Sequence, residues 1–202
     1  MQAEIEAKFL DIDIEKMRGQ LLTAGAVCRQ PMRLMRRAII ETPEMKRKDA
    51  YVRVRDEGDK VTLTYKQFDE LSIDGAKEVG TVVGDFDATV ALLAQAGLKY
   101  HSLQESKRET WQLGDVEVVI DEWPWLDIYI EIEGKSEQAL QGTVKKLGLD
   151  WKDAVFGDVM VAYRAQYPHL RETDTVGRIT EVRFADPLPT LLKTNMEVGG
   201  EQ

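Results

Sequence analysis

A single cysteine, Cys28, stands in 202 residues, which excludes an intramolecular disulfide and a multi-cysteine zinc site. Cys28 itself is expected to be a small core residue. Histidine is nearly as scarce. His101 and His169 are the only imidazoles, and no serine-histidine motif suggests nucleophilic catalysis. No apolar run approaches the roughly 18 residues of a membrane span, and the opening Met-Gln-Ala-Glu-Ile-Glu lacks the basic and greasy regions of a signal peptide. The expectation is a soluble, cytoplasmic protein with no membrane partner. Carboxylates, by contrast, are plentiful: 36 acids against 27 bases leave a net charge of -9. That balance disfavours nonspecific binding to a phosphate backbone, and it favours a hard, oxygen-loving ion such as magnesium or manganese over zinc if a metal binds.

The charge is unevenly placed. From Arg29 to Arg55 nine bases accompany three acids, so this segment carries +6 and the rest of the chain -15. Taken alone, it reads equally as an anion site or as the solvated basic face of one hairpin. With 43% apolar residues the chain can bury a sizeable core as one domain.

One five-residue pattern occurs twice, as Glu4-Ile5-Glu6-Ala7-Lys8 and Glu131-Ile132-Glu133-Gly134-Lys135. In an extended strand Glu4, Glu6 and Lys8 project to one side, and Ile5, Ala7 and Phe9 to the other. Two such strands can aim four carboxylates at one place, which repel unless cations or protons neutralise them. Three units share a strand, helix, glycine design. The first has Asp13 as cap and Gly25 as stop, the second runs through Asp87 to Gly97, and the third from Ser136 to Gly148. Further strands are expected at 34–41, 50–55, 61–67, 106–113 and 116–122, with turns at 56–59 and 114–115. The fold class that follows is α+β. About eight strands make an antiparallel sheet or a closed barrel with helices packed outside.

Parity along the strands places Val52, Val54, Leu63, Val118, Ile120, Ile130 and Ile132 on apolar faces that should meet the helices. The opposite faces carry Glu4, Glu6 and Lys8; Arg53 and Arg55; Thr62, Thr64 and Lys66; Glu117 and Asp121; Glu131 and Glu133. On an open sheet this would be an ordinary solvated side. Yet it is acidic on some strands and basic on others, and in a closed sheet it would line the interior. Buried ions need partners. A polyphosphate bridged to carboxylates by divalent cations would satisfy both sets of charges.

These residues, in this order, resemble the CYTH family, also called triphosphate tunnel metalloenzymes. The signature is Glu4-x-Glu6-x-Lys8. Arg53-x-Arg55, Thr62-x-Thr64-x-Lys66, the basic Lys107-Arg108-Glu109-Thr110-Trp111 strand, the acidic strand with Asp121, and Glu131-x-Glu133 follow it. The resemblance spans about 1–167. It implies an eight-stranded antiparallel closed barrel, the triphosphate tunnel, with helices outside, that binds a triphosphate-containing small molecule with Mg2+ or Mn2+. Carried over by position, Glu4, Glu6, Asp121, Glu131 and Glu133 hold metal, and Lys8, Arg53, Arg55, Lys66 and Arg108 hold substrate. Glu4, Glu6 and Lys8 form the catalytic set. The family's Lys-x-Arg on the basic strand is here Ser106-x-Arg108, with Lys107 beside it expected to point away, and Glu78 stands in a run thinner in charge than usual. Parity does not choose between Arg36 and Arg37.

The implied activity is metal-dependent hydrolysis of a phosphoanhydride in inorganic triphosphate or in an organic or nucleoside triphosphate. Alternatives are a class IV adenylate cyclase releasing cyclic AMP and pyrophosphate from ATP, and a noncatalytic polyphosphate or nucleotide binder. Nucleic acid enters only as a 5′-triphosphate RNA end. The expected domain division is 1–168 for the tunnel and 169–202 for a C-terminal extension with a strand-like 178–184. That extension is read as covering one mouth, making homodimer contacts, or lying disordered.

Overall fold

Alternating residues form the strands, and left-handed glycines end the helices that follow three of them. The computed structural model describes residues 2–68 and 76–193, with side chains in 5–68 and 77–193. Strand β1 (Gln2–Phe9) leads to α1 (Ile14–Thr23), β2 (Val27–Ile40), a short α2 (Pro43–Arg47), β3 (Ala50–Asp56), β4 (Val61–Phe68) and β5 (Ala76–Val83). Then come α3 (Phe86–Gln95), β6 (Ser102–Leu113), β7 (Val116–Trp123), β8 (Leu126–Gly134), α4 (Glu137–Lys146), α5 (Met160–Gln166) and a two-residue β9 (Glu181–Val182). Asp13 and Ser136 cap α1 and α4 as expected, accepting from the backbone N–H of Lys16 and Ala139. Asp85 caps α3, accepting from the backbone N–H of Ala88. Gly25, Gly97 and Gly148 sit at φ of 84°, 87° and 67°, where a Cβ would be strained.

The strand order is β2-β3-β4-β5-β1-β8-β7-β6, antiparallel throughout, with β9 added parallel to β6 and a further ladder between β2 and β6. The expectation of a closed barrel is corrected at one seam. Among the described residues β1 pairs with β5 at Gln2, Ala3 and Glu4. At Lys8 its backbone instead exchanges two 2.9 Å hydrogen bonds with Val155. A backbone edge can be used once, and at Lys8 it is taken by Val155. The result is a curled eight-stranded sheet, open rather than closed along that seam.

The outer, convex face is apolar. Ala7, Phe9, Val118, Ile120, Ile130 and Ile132 pack against Met17 and Leu21 of α1 and against Leu140, Val144 and Leu147 around α4. Ala38 and Val54 pack beneath Phe86, Val90 and Leu93 of α3. Gly134 owes its place to this packing, since a Cβ there would stand 2.9 Å from Leu140 Cδ1. Two early readings are corrected on this outer side. Cys28 is exposed rather than part of the core, because it lies on the first residues of β2, which extends seven residues before the expected start.

The chain after Val155 packs against the end of the sheet where β7 turns into β8. Met160 and Tyr163 of α5, with Leu170, Val176 and Leu192, form one cluster with Trp123, Leu126 and Tyr129. Tyr163 donates to Pro124 O at 2.7 Å, Tyr167 to Trp125 O at 2.5 Å, and Trp125 Nε1 to Asp186 O at 2.9 Å.

Leu140 is fully buried against Gly134, so Leu140→Ala should destabilise the protein by about 2–5 kcal/mol through transfer and cavity terms. Urea unfolding checks this. A midpoint equal to that of the wild type would contradict the packing of α4 described here.

Candidate active site

The concave face of the sheet collects what the convex face excludes. On β1 the alternation that sends Ala7 and Phe9 outward turns Glu6 and Lys8 inward, where they are 5% and 2% exposed. Lys8 Nζ lies 2.7 Å from Glu6 Oε1 and 3.1 Å from Glu131 Oε2 on β8. Lys66 Nζ of β4 is 3.9 Å from Glu6 Oε2, across the width of β5. Arg108 of β6 grips both oxygens of Asp121, at 2.7 and 2.5 Å, and stands 4.0 Å from Glu131. Contacts between strands that are not sheet neighbours arise because the sheet curls. Glu133 is the backbone partner of both Glu6 and Glu117. The side chain of Glu4 lies outside the described residues.

Opposite this acidic wall stands a basic one. Arg55 donates from Nε and Nη2 to Glu57 Oε1 at 2.9 and 2.7 Å, and Thr62 donates to the same oxygen at 3.2 Å. Arg37 lies opposite Arg55 in the β2–β3 ladder, and its Nη2 donates to Ser106 Oγ at 2.5 Å. The Nε atoms of Arg37 and Arg53 are buried with no hydrogen-bond partner among the described residues. A buried donor left unsatisfied costs about 1–3 kcal/mol, and more when charged. Two such donors within one concavity mark a place that wants an anion.

Protonation follows from this crowding. Burial pushes the Arg37 guanidinium down to about 9, with Arg53, Arg55 and Arg108 adding repulsion. Burial, then Arg53 and Arg108, take Arg55 to about 10. Both remain charged at neutral pH. On the acidic wall burial raises the Glu6 carboxyl and the neighbouring Glu131 raises it further. Burial also opposes ionisation of Glu131, yet Lys8, then Arg108 and Lys66, hold it well below the usual carboxylate range. Glu6 is thus the carboxylate that burial and Glu131 hold back from ionising, even with Lys8 at 2.7 Å and Lys66 at 3.9 Å. Among the described residues no three carboxylate, imidazole or thiol groups form a ready cage for an ion. In kind the donors still suit a hard divalent cation: they are all oxygens, and one of them is held back from ionising by burial and a neighbouring carboxylate.

The structure thus gathers Glu6, Lys8, Arg53, Arg55, Lys66, Arg108, Asp121 and Glu131 about one concavity. It also separates the two neighbours that parity left open. Arg37 turns inward, 7% exposed, whereas Arg36 faces outward over the Phe86 ring with Asp56 and Asp87 as ionic partners. Lys107 points away as expected, pairing with Glu122 at 3.0 Å and lying over Phe184. Glu57, the carboxylate that holds Arg55, was not among the expected residues. It follows a strand, inside what reads as a turn, and strand parity says nothing about turns.

The chain also has recognisable relatives. The family model of the CYTH domain matches residues 2–155. No curated protein matches. Among solved structures, a protein from Pyrococcus horikoshii OT3 superposes with a TM-score of 0.66 at 19% identity, covering 79% of this chain and 98% of its own. One from Vibrio parahaemolyticus, provisionally assigned as an adenylate cyclase, gives 0.68 at 11% identity, covering 80% and 97%. An adenylyl cyclase candidate from Hippeastrum, described with a dominant triphosphatase activity, gives 0.53 at 13%, covering 82% and 96%. At these identities the likeness is one of fold. Matched by the family's model over most of its length, the chain belongs to the CYTH domain family.

Proposed function

We propose that this protein is a divalent-metal-dependent hydrolase of a phosphoanhydride bond in inorganic triphosphate or in an organic or nucleoside triphosphate. The observation that carries this reading is the pair of buried guanidinium Nε atoms without partners, on Arg37 and Arg53, facing a wall of carboxylates in the same concavity. Membership of a family of triphosphatases and adenylate cyclases supports an enzyme of that kind.

Arg53, Arg55 and Arg108 would bind the phosphate oxygens, the planar guanidinium offering paired donors that match them. Lys8 and Lys66 would add point charge from the β1 and β4 side. Glu6, Glu131 and Glu133, with Glu4 and Asp121 of the expected set, would hold a magnesium or manganese ion. Such an ion, when bound, supplies charge neutralisation on the phosphate oxygens and a more acidic water. A carboxylate of the Glu4/Glu6 and Glu131/Glu133 set would accept the proton from that water. The water oxygen bonds to the terminal phosphorus as the bridging P–O bond breaks, and the bridging oxygen leaves with the electron pair on the diphosphate. The protein's share is placement and charge.

A panel of tripolyphosphate, ATP, thiamine triphosphate and 5′-triphosphate RNA, with Mg2+ and with Mn2+, tests the reading. Orthophosphate release that stops on adding a chelator is the expected result. Cyclic AMP with pyrophosphate would instead identify a cyclase, and stable binding without turnover a noncatalytic binder. Glu6→Gln should lower kcat by roughly 100-fold or more while the thermal midpoint stays near wild type; full activity in this variant would refute the site assignment. Arg53→Ala should act mainly on KM. The two neighbours on β6 should separate cleanly, with Arg108→Ala costing about 100-fold or more in kcat/KM and Lys107→Ala within about twofold of wild type. Equal losses from both would show that the inward face has been misread.

A further inference from the structure

Arg37 is the residue of the concavity whose position the expected set does not explain. It is buried, its Nε has no partner, and among the described residues no carboxylate comes within ion-pair distance of it. Its charged neighbours are Arg53, Arg55 and Arg108, which repel it, and Asp121, whose attraction is the smallest of these effects. Its guanidinium is nonetheless held firmly, stacked 4.3 Å from the centre of the Trp123 ring and hydrogen-bonded at 2.5 Å to Ser106 Oγ. Stacking on an aromatic face and one hydroxyl contact orient a guanidinium without neutralising it. A cation that is desolvated, repelled by its neighbours and yet fixed in direction is poised for an anion from outside the chain.

Its location says which part of an anion. Trp123 is the last residue of β7, at the end of the sheet where β7 turns into β8. That end is covered. The Trp123-Pro124-Trp125 turn is tied to the C-terminal segment by the bonds from Tyr163, Tyr167 and Trp125, and Trp123 packs in one cluster with Met160 and Tyr163. A linear ligand that reaches Arg37 therefore meets the indole and the packed C-terminal segment behind it, and goes no further.

We propose that Arg37, positioned by Trp123 and Ser106, contacts the terminal phosphate of the ligand at this covered end and so limits the length of phosphate chain the site accepts. The assignment rests on the triphosphate reading of the same concavity. The C-terminal segment, which lies beyond the residues matched by the family model, then acts on specificity through Trp123.

Calorimetric titration of the full chain with tripolyphosphate, pyrophosphate and a long-chain polyphosphate tests it, using wild type, Arg37→Met, Arg37→Lys and Trp123→Phe. Methionine keeps the stem and removes a buried, repelled charge, so the ligand-free thermal midpoint of Arg37→Met should equal or exceed that of wild type. Its affinity for tripolyphosphate should fall roughly tenfold or more, the loss expected for a charge-assisted hydrogen-bond donor, whereas pyrophosphate, short enough to rest on the remaining arginines, should lose less than about threefold. Arg37→Lys should recover only part of the loss, and Trp123→Phe should weaken tripolyphosphate while pyrophosphate binds as before. Wild type should bind long-chain polyphosphate more weakly, per chain end, than tripolyphosphate. Unchanged tripolyphosphate affinity in a folded Arg37→Met protein overturns the contact, equal losses for both ligands overturn its terminal placement, and a variant that does not fold shows Arg37 to be a structural support instead. If wild type binds none of the three, the phosphate reading itself fails, a result separate from any effect of Arg37.

Discussion

Ionic side chains that cannot reach bulk water govern this protein. Once the sheet curls, Glu6, Lys8, Arg37, Lys66 and Asp121 are each less than a tenth exposed, and burying an isolated ion costs several kcal/mol even after relaxation. Internal pairing repays part of that cost. Lys8 serves both Glu6 and Glu131, Arg108 serves Asp121, and Glu57 serves Arg55. The remainder is a surplus of positive charge on β2 and β3, and on β1 a carboxylate that burial and Glu131 disfavour in its charged form. The proposed multiply charged anion, with a divalent cation, would answer both together.

The apolar half of the molecule makes this tolerable. Each strand that sends a charged residue inward sends an aliphatic one outward, and the helices α1, α3 and α4 cover those outward residues. The sheet is thus buried on its convex side by hydrophobic packing, which is non-directional and worth roughly 25 cal/mol per Å2 of apolar surface removed from water. Packing of that kind supplies stability without specifying function. It leaves the concave side free to carry an arrangement that would be unfavourable by itself.

The C-terminal segment links the two halves. It contributes to an apolar cluster of its own with Trp123, Leu126 and Tyr129, and the Trp123 ring also meets the Arg37 guanidinium. A change in the packing of that cluster is transmitted to the charged concavity through one indole ring. Ser102 and Glu105 of β6 also bond to the segment, at Ile179 O and Phe184 N, so its course past the sheet is fixed at both its helical and its extended portions.

Alternation alone determined much of this. In β1, β3, β4, β7 and β8 apolar and charged residues alternate over most of each strand, with exceptions such as Val119 and Trp123 on the Asp121 face of β7, and the inward set could be named because a strand offers only two faces. The caps at Asp13 and Ser136 and the stops at Gly25, Gly97 and Gly148 were equally local, each resting on a hydrogen bond or a φ value that its own neighbours decide. Tertiary structure decided the rest. On β2, Leu34, Met35, Ala38, Ile39 and Ile40 put apolar residues on both faces, and bulges between Cys28 and Arg33 shift the register, so nothing local distinguishes Arg36 from Arg37. The inward direction of Arg37 depends on Ser106 and Trp123, 69 and 86 residues away. The open seam depends on Val155 reaching Lys8 first. Contacts at such separations are selected by which packing of the whole chain buries the most while leaving the fewest charges alone, and no window of sequence contains that comparison.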